Sequence, residues 1–476
     1  MDRAAFLEKR FIGRLPFEPT PCQRRLMCEV ALFLTGDDGD ILVVNGYAGT
    51  GKTTAIASIV SVMTELETEC ILLAPTGRSA KVLSSYTGHP AFTIHKHIYR
   101  QKSHGADGFG EFSLSPNKAR GALLIVDEVS LIGIDSGERG GASFGTGNLL
   151  EDLVQFLRSG VDCRMIMVGD AAQLPPIGLD ASPALSPEYM SGAGGVLFST
   201  LTTVVRQQEQ SGILAAATKV RNMISSGDEE VPLDALGLDV RHFSDIERVS
   251  GAELIEALSD AYARYGEDET VVLCRSNRRA NRYNAGIRAQ VLFREEELVR
   301  EDKVMIVRNC YRYADTLEGT DYIANGDIAR VMKIGGWEER YGLRFAKATL
   351  AFPDYGDQEI KATVLLDTLS SESPSLTYEQ SNALYRGVDA DYASITSKKK
   401  RYEAVREDPF FNALQLKYAA AITGHKSQGG QWKCVFIDNP LWQDILVADD
   451  LKWLYTALTR AVEKVYLVNF KDRAFL

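Results

Sequence analysis

Cysteine is scarce and scattered. The 476 residues hold seven, at 22, 28, 70, 163, 274, 310 and 434. No two form a C-x-x-C pair, which argues against a zinc site and against a disulfide framework. Apolar runs near ~18 residues are missing, so no transmembrane helix is expected. The opening stretch, MDRAAFLEKRFIG, is charged throughout and lacks the apolar core of a signal peptide. A reducing, cytoplasmic setting without membrane contact is the expectation. Positive charge is not in surplus either, the formal net charge being −11. That weighs only weakly against a nucleic-acid partner, because binding needs a local basic stripe rather than a basic protein. Repeats and long low-complexity tracts are absent. What is left, 45% hydrophobic and 25% charged, is an ordinary globular composition. The length suits roughly two to four domains.

Residues 45–54 read NGYAGTGKTT and follow the apolar run ILVV. Gly46, Gly49, Gly51, Lys52 and Thr53 fit G-x-x-x-x-G-K-[ST]. A predicted strand leads in and a predicted helix leads out, the context that a phosphate-binding loop requires. Backbone N–H groups of such a loop, and of the helical turn holding Thr53 and Thr54, point at phosphate oxygens. ATP is the expected ligand. A second apolar run, 122–126 (ALLIV), ends in Asp127-Glu128. In such a site Thr53 and Asp127 hold Mg²⁺, and Glu128 orients and deprotonates the attacking water. A third run, 164–168 (RMIMV), ends in GDAAQLPPIG. Gln173 there is placed to sense the γ-phosphate, and the two prolines after Leu174 stiffen its backbone.

Six further stretches follow in order. They are FEPTPCQ at 17–23, APTGRSAK at 74–81, TIH at 93–95, VRQ at 205–207, TGHKSQG at 423–429 and YTALTRA at 455–461. Together they resemble the motifs of superfamily 1 helicases of the RecD-like, Dda-like branch, and the resemblance runs from about residue 16 to the end. It implies that Gln23 reads the adenine edge and that Thr76, Arg78 and His95 contact a nucleic-acid strand. It implies that Arg206 and Arg460 are arginine fingers, that Thr423 and His425 grip the strand, and that Gln428 and Gly429 face the nucleotide.

The implied fold is α/β: two RecA-like P-loop NTPase lobes, parallel sheets flanked by helices, with a β-hairpin insertion and a small SH3-like β-barrel insertion. Lobe 1A takes 1–95 and 121–200, a hairpin or pin (1B) 96–120, lobe 2A 201–288 and 416–476, and insertion 2B 289–415. IYRQKSH and FGEFSLS around GADG read as the hairpin. Tyr99 and Phe112 in it either stack on a base or form its core. Arg275, Asn277 and Arg278 either approach the strand backbone or lie on a solvated helix face. Strands are expected at 303–307, 327–334, 344–352 and 359–366, with turns at Asn325-Gly326 and Gly335-Gly336. The run 324–327 (ANGD) resembles the N-G-[DE] of the family's barrel. KKKR at 398–401 either meets phosphates or is a solvated face. Loop 135–148, longer and richer in glycine than the pattern, is expected to be a mobile surface excursion without chemistry.

The function implied is an ATP-dependent DNA helicase, moving 5′ to 3′ on single-stranded DNA and splitting duplex at the pin. ATP and Mg²⁺ are its cofactors. Single-stranded DNA and fork junctions are its partners, with replication or repair proteins nearby, and it is expected to act as a monomer. An RNA helicase of the same superfamily and an ATP-gated nucleic-acid clamp stay open. A nuclease fusion does not, since no acidic cluster is left unassigned.

Overall fold

The computed structural model describes residues 2–104, 110–134, 143–203, 211–310, 312–313, 317 and 323–476, without the side chains of 101–104, 110–111 and 143. Six parallel strands make the first sheet, in the order Ala91–Thr93, Cys70–Ala74, Leu123–Val126, Arg164–Gly169, Ile41–Gly46, Val196–Leu201. A parallel sheet is covered on both faces, so its strands are mostly apolar on both sides. Strand Ile41–Gly46 shows why: Leu42 and Val44 pack among Met27, Val30 and Ile59, while Ile41 and Val43 pack on the other side with Leu153 and Phe156. The three central strands place the loops after residues 46, 126 and 169 side by side at one sheet edge, where open α/β sheets bind ligands.

The second sheet is also parallel, in the order Ile246–Val249, Ala461–Val468, Trp432–Asp438, Thr270–Cys274, Ala421–Thr423. Between its strands Thr270–Cys274 and Ala421–Thr423 the chain forms a closed five-stranded barrel of Lys303–Ile306, Ile328–Arg340, Leu343–Phe352, Gln358–Leu365 and Leu414–Tyr418. Two lobes of parallel sheet with a small barrel inserted in the second are thus the observed fold.

The structure departs from the sequence reading in four places. The barrel is closed by Leu414–Tyr418, which pairs antiparallel with Lys303–Ile306 and parallel with Gln358–Leu365. A lobe boundary at 416 would cut through that strand. Gly335-Gly336 is no turn but lies within the long strand Ile328–Arg340, at a register shift, and the chain reverses at Tyr341-Gly342. Two helices, Tyr378–Asp391 and Lys398–Glu407, pack on the barrel, and KKKR forms the first turn of the second. Finally, loop 135–148 is not wholly a surface excursion. Its residues Ser143–Phe144 add a third strand to the hairpin Tyr99–His104/Gly110–Leu114. Phe144, an aromatic among small residues, stacks on Phe112 with centroids 4.5 Å apart. Residues 135–142 and 105–109 lie outside the described ones.

Candidate nucleotide site and strand-contact surface

The loop after strand Ile41–Gly46 turns through left-handed backbone at Gly49 and Gly51 before helix Lys52–Glu65 begins. Gly51 has φ +81°, and a Cβ there would collide with the Gln23 amide. Lys52 folds over the loop, its Nζ donating to Gly46 O (2.5 Å) and Tyr47 O (3.1 Å) and lying 3.9 Å from Asp170 Oδ2. Thr53 and Thr54 occupy the first helical turn.

Asp127 ends strand Leu123–Val126, and its Oδ1 accepts from Glu128 N–H at 2.8 Å. Burial pushes the Asp127 carboxyl up from the ordinary carboxylate range, with the Glu128 charge adding to it. Glu128 itself sits at φ +53°, a left-handed conformation that a non-glycine residue adopts at a cost, and such strain gathers at functional positions. Thr53 and Asp127 offer only hard oxygen donors beside the phosphate loop, a set that suits Mg²⁺.

Asp170 ends the third strand. Its carboxylate is fully buried, and it accepts from Ala172 N–H (3.0 Å) and from Tyr455 O–H (2.7 Å) of the second lobe. The same phenol accepts from Ala48 N–H in the phosphate loop (2.8 Å). Next to Gln173, the backbone of Leu174 is held at both ends by the second lobe. Its N–H donates to Thr456 Oγ1 (2.8 Å), and its C=O accepts from Gln428 Nε2 (2.7 Å). The Oε1 atoms of Gln173 and Gln428 are buried without a hydrogen-bond partner, so each keeps an acceptor unspent. Tyr47 packs against the second lobe as well, under Arg221 at 4.8 Å.

Two residues expected at the nucleotide are engaged within the protein in this structure. Gln23 is fully buried, with both ends of its amide in use. Its Oε1 accepts from Thr20 N–H (2.9 Å) in a capping box, and its Nε2 donates to Thr50 O (2.9 Å). So buried and engaged, the amide presents no exposed edge to an adenine. Arg460 is 4% exposed and turned into its own lobe, donating to Thr456 O (3.1 Å), Gly430 O (3.3 Å) and Thr459 Oγ1 (3.1 Å). It ties one motif of its lobe to another rather than reaching across. Arg206 lies outside the described residues.

The expected strand-contact motifs meet at the lobe boundary. Thr76 caps helix Gly77–Thr87, accepting from Ser79 N–H at 3.1 Å. Gly429, at φ +74°, lies so close that a Cβ would collide with Ser79 Oγ and stand 3.4 Å from Thr76 Oγ1. Arg78 lies over the Trp432 ring at 4.1 Å and donates to Gln431 O at 3.5 Å. The barrel closes over the same spot. A Cβ on Gly77 would come 3.0 Å from Asp327 Oδ1, Lys81 bonds Asp354 Oδ1 (3.0 Å), and Lys426 bonds Asn325 Oδ1. Burial pushes the Asp327 carboxyl up to about 7, and Tyr355 O–H donates to it. Thr423 ends strand Ala421–Thr423 and His425 lies in the short helix Gly424–Ser427 that follows.

Other expected contacts are used differently. The Tyr99 ring is 7% exposed and its hydroxyl donates to buried Asp152 at 2.6 Å, so it belongs to the hairpin core and not to a base-stacking surface. Phe112, stacked on Phe144, joins that core. His95 packs against Tyr99 and Phe144, and burial holds its imidazole down at about 4, so at neutral pH it offers no charge to a phosphate. Arg275 pairs with Asp449 and Asp450 on the first turn of helix Ala448–Leu458. Arg278 pairs with Glu372 at 3.6 Å, and Asn277 opens helix Asn277–Gln290. Among the described residues no group of three or more His, Cys, Asp or Glu is placed to hold a metal, and no helix is long and apolar enough to cross a membrane.

Residues 20–237 match the family model of an AAA domain, and residues 418–468 match that of the UvrD-like helicase C-terminal domain. The ATP-dependent RecD2 DNA helicase of Deinococcus radiodurans is 34% identical over 37% of this chain, which spans 21% of that protein. An uncharacterised protein of Methanocaldococcus jannaschii is 23% identical over 90% of this chain, and 36% of its own length is covered. The ATP-dependent DNA helicase dda of Enterobacteria phage T4 is 23% identical, with 90% of this chain and 94% of the phage protein covered. The chain thus spans about a fifth to a third of the length of the first two relatives. The solved structure of Pif1 helicase from Bacteroides with ADP-AlF3 and single-stranded DNA aligns at a TM-score of 0.49 and 17% identity, covering 96% of this chain and 94% of that one.

Proposed function

We propose that this chain, which belongs to the superfamily 1 helicases of the RecD-like, Dda-like branch, hydrolyses ATP to move 5′ to 3′ on single-stranded DNA and to separate duplex at the hairpin. One observation carries the reading. The segment holding Gln173 is hydrogen-bonded on both sides of Leu174 to the lobe that carries the second strand-contact motif. A change at the γ-phosphate therefore moves the second lobe, and closure in turn completes the hydrolytic site.

Lys52 leaves its loop carbonyls for the β- and γ-phosphates, and loop N–H groups hold the remaining oxygens. Glu128, held in strained backbone, takes the proton of the attacking water. Thr53 and Asp127 would hold Mg²⁺, which when bound neutralises phosphate charge. Arg206 and Arg460 complete the charge stabilisation, Arg460 after release from Gly430 and Thr459. On the other side of the boundary, Thr76, Arg78, Thr423 and His425 grip the strand backbone in turn, without reading sequence. The hairpin holds the complementary strand at the fork. The chain acts as a monomer in the cytoplasm, beside replication or repair proteins.

ATP turnover is measured with single-stranded DNA, with RNA and with neither. Unwinding is then measured on partial duplexes bearing a 5′ or a 3′ tail. DNA-stimulated turnover and unwinding of the 5′-tailed substrate alone are expected. Unwinding of only the 3′-tailed substrate would reverse the polarity. Stimulation by RNA alone points to an RNA helicase, and DNA stimulation without unwinding to a clamp.

A further inference from the structure

Tyr455 belongs to helix Ala448–Leu458 of the second lobe, is 1% exposed, and delivers its phenol into the first lobe's nucleotide site. The oxygen accepts from Ala48 N–H of the phosphate loop at 2.8 Å and donates to Asp170 Oδ2 at 2.7 Å. That same Oδ2 is 3.9 Å from Lys52 Nζ. One hydroxyl thus touches both the loop that cradles phosphates and the carboxylate beside the lysine that neutralises them. Burial and the Asp170 charge raise the phenol well above its ordinary range, so it stays a donor to Asp170.

We infer that Tyr455 is a positioning residue through which the second lobe registers the nucleotide state of the phosphate loop. The inference rests on the ATPase reading above. When Lys52 turns to phosphate, Asp170 loses its nearest cation and becomes a stronger acceptor for the phenol. When phosphate leaves, Lys52 returns and competes for the same oxygen. Because Ala48 N–H and Asp170 are both bonded to one rigid side chain, a shift of either pulls on helix Ala448–Leu458. The next residue, Thr456, already holds Leu174 beside Gln173. Two adjacent side chains of one helix therefore hold the phosphate loop, Asp170 and the segment of Gln173.

The test is Tyr455→Phe, which keeps the ring in the core and removes both hydrogen bonds. The affinity for a fluorescent single-stranded DNA is measured with and without a non-hydrolysable ATP analogue, alongside the melting transition. In the unaltered protein the analogue is expected to change DNA affinity about 5-fold or more, the usual range of coupling between two sites. In Tyr455→Phe the change is expected to fall below about twofold while the analogue itself still binds. A merely structural role would lower the melting transition and leave the coupling intact. Asp170→Asn keeps the shape, weakens the acceptor and retains the Ala48 bond, so an intermediate coupling is expected from it. Full coupling in both variants overturns the inference. If the unaltered protein binds the analogue and DNA with no coupling between them, the motor reading fails first and takes this inference with it.

Discussion

Asp152 is the anchor of the hairpin, and replacing it with Ala should separate strand opening from ATP turnover. Its side chain is fully buried in helix Leu149–Ser159. Oδ2 accepts from Tyr99 O–H at 2.6 Å, and the carboxylate accepts from Thr146 N–H at 3.1 and 3.3 Å. Truncation leaves the buried Tyr99 hydroxyl without a partner, at a cost of about 1–3 kcal/mol, while the N–H of exposed Thr146 turns to water and loses less. That loss falls on particular elements. Tyr99 begins the first hairpin strand, and Thr146 follows the third. The phosphate loop, Asp127 and Asp170 lie on other strands. Unwinding of a 5′-tailed duplex should therefore fall about tenfold or more, while DNA-stimulated ATP turnover stays within about threefold. Asp152→Asn keeps an acceptor for Tyr99 but turns an NH₂ toward Thr146, so it should fall between. Parallel loss of turnover and unwinding, or full unwinding by Asp152→Ala, refutes the reasoning.

The remaining expectations are briefer. Gln23→Ala should raise the KM for ATP and GTP by the same factor within about twofold, since its amide braces Thr50 and the helix start; a loss confined to ATP would restore it as an adenine reader. Gly429→Ala combines left-handed backbone, costing roughly 1–2 kcal/mol, with a collision at Ser79, so DNA-stimulated turnover should drop about tenfold; unchanged kinetics would show that the lobes need not approach so closely. His95 is held down at about 4 by burial against an unfolded value of about 6.5. Its contribution to stability is then fully present above about pH 6.5 and is lost as pH falls toward 4, at ~1.4 kcal/mol per unit. His95→Phe should flatten the melting temperature over that window, and identical pH slopes in the two proteins would refute the burial argument.

The nucleotide site was legible because each of its parts follows an apolar strand: ILVV before the loop, ALLIV before Asp127, RMIMV before Asp170. What the pattern could not convey was who meets whom. Tyr455 finds Ala48 from 407 residues away, and Arg275 finds Asp449 from 174. Gln23 was read as a ligand residue, yet the T-x-x-Q spacing also spells a capping box, and that local bond competes for the same amide. The closing barrel strand was lost because LQLKY runs on into AAAI without a turn residue. Gly335-Gly336 misled for a related reason, because a glycine pair also suits a register shift inside a strand.

That unbroken passage from barrel to lobe has a mechanical meaning. Ala419 N–H donates to Lys303 O in the barrel ladder, and the next residue, Ala420, accepts from Val272 N–H in the lobe sheet, both at 2.9 Å. No residue of slack separates the two ladders, and Thr423 follows three positions on. The barrel is therefore a rigid outrigger of the second lobe and turns when that lobe turns. Its hold on the first lobe is of another kind. The bonds from Lys81 to Pro353 and Asp354 are exposed, and exposed ion pairs contribute only ~0–1 kcal/mol. In the proposed cycle the barrel would act like a pawl: fixed firmly to one moving part, resting lightly on the other, and lifted when the lobes separate.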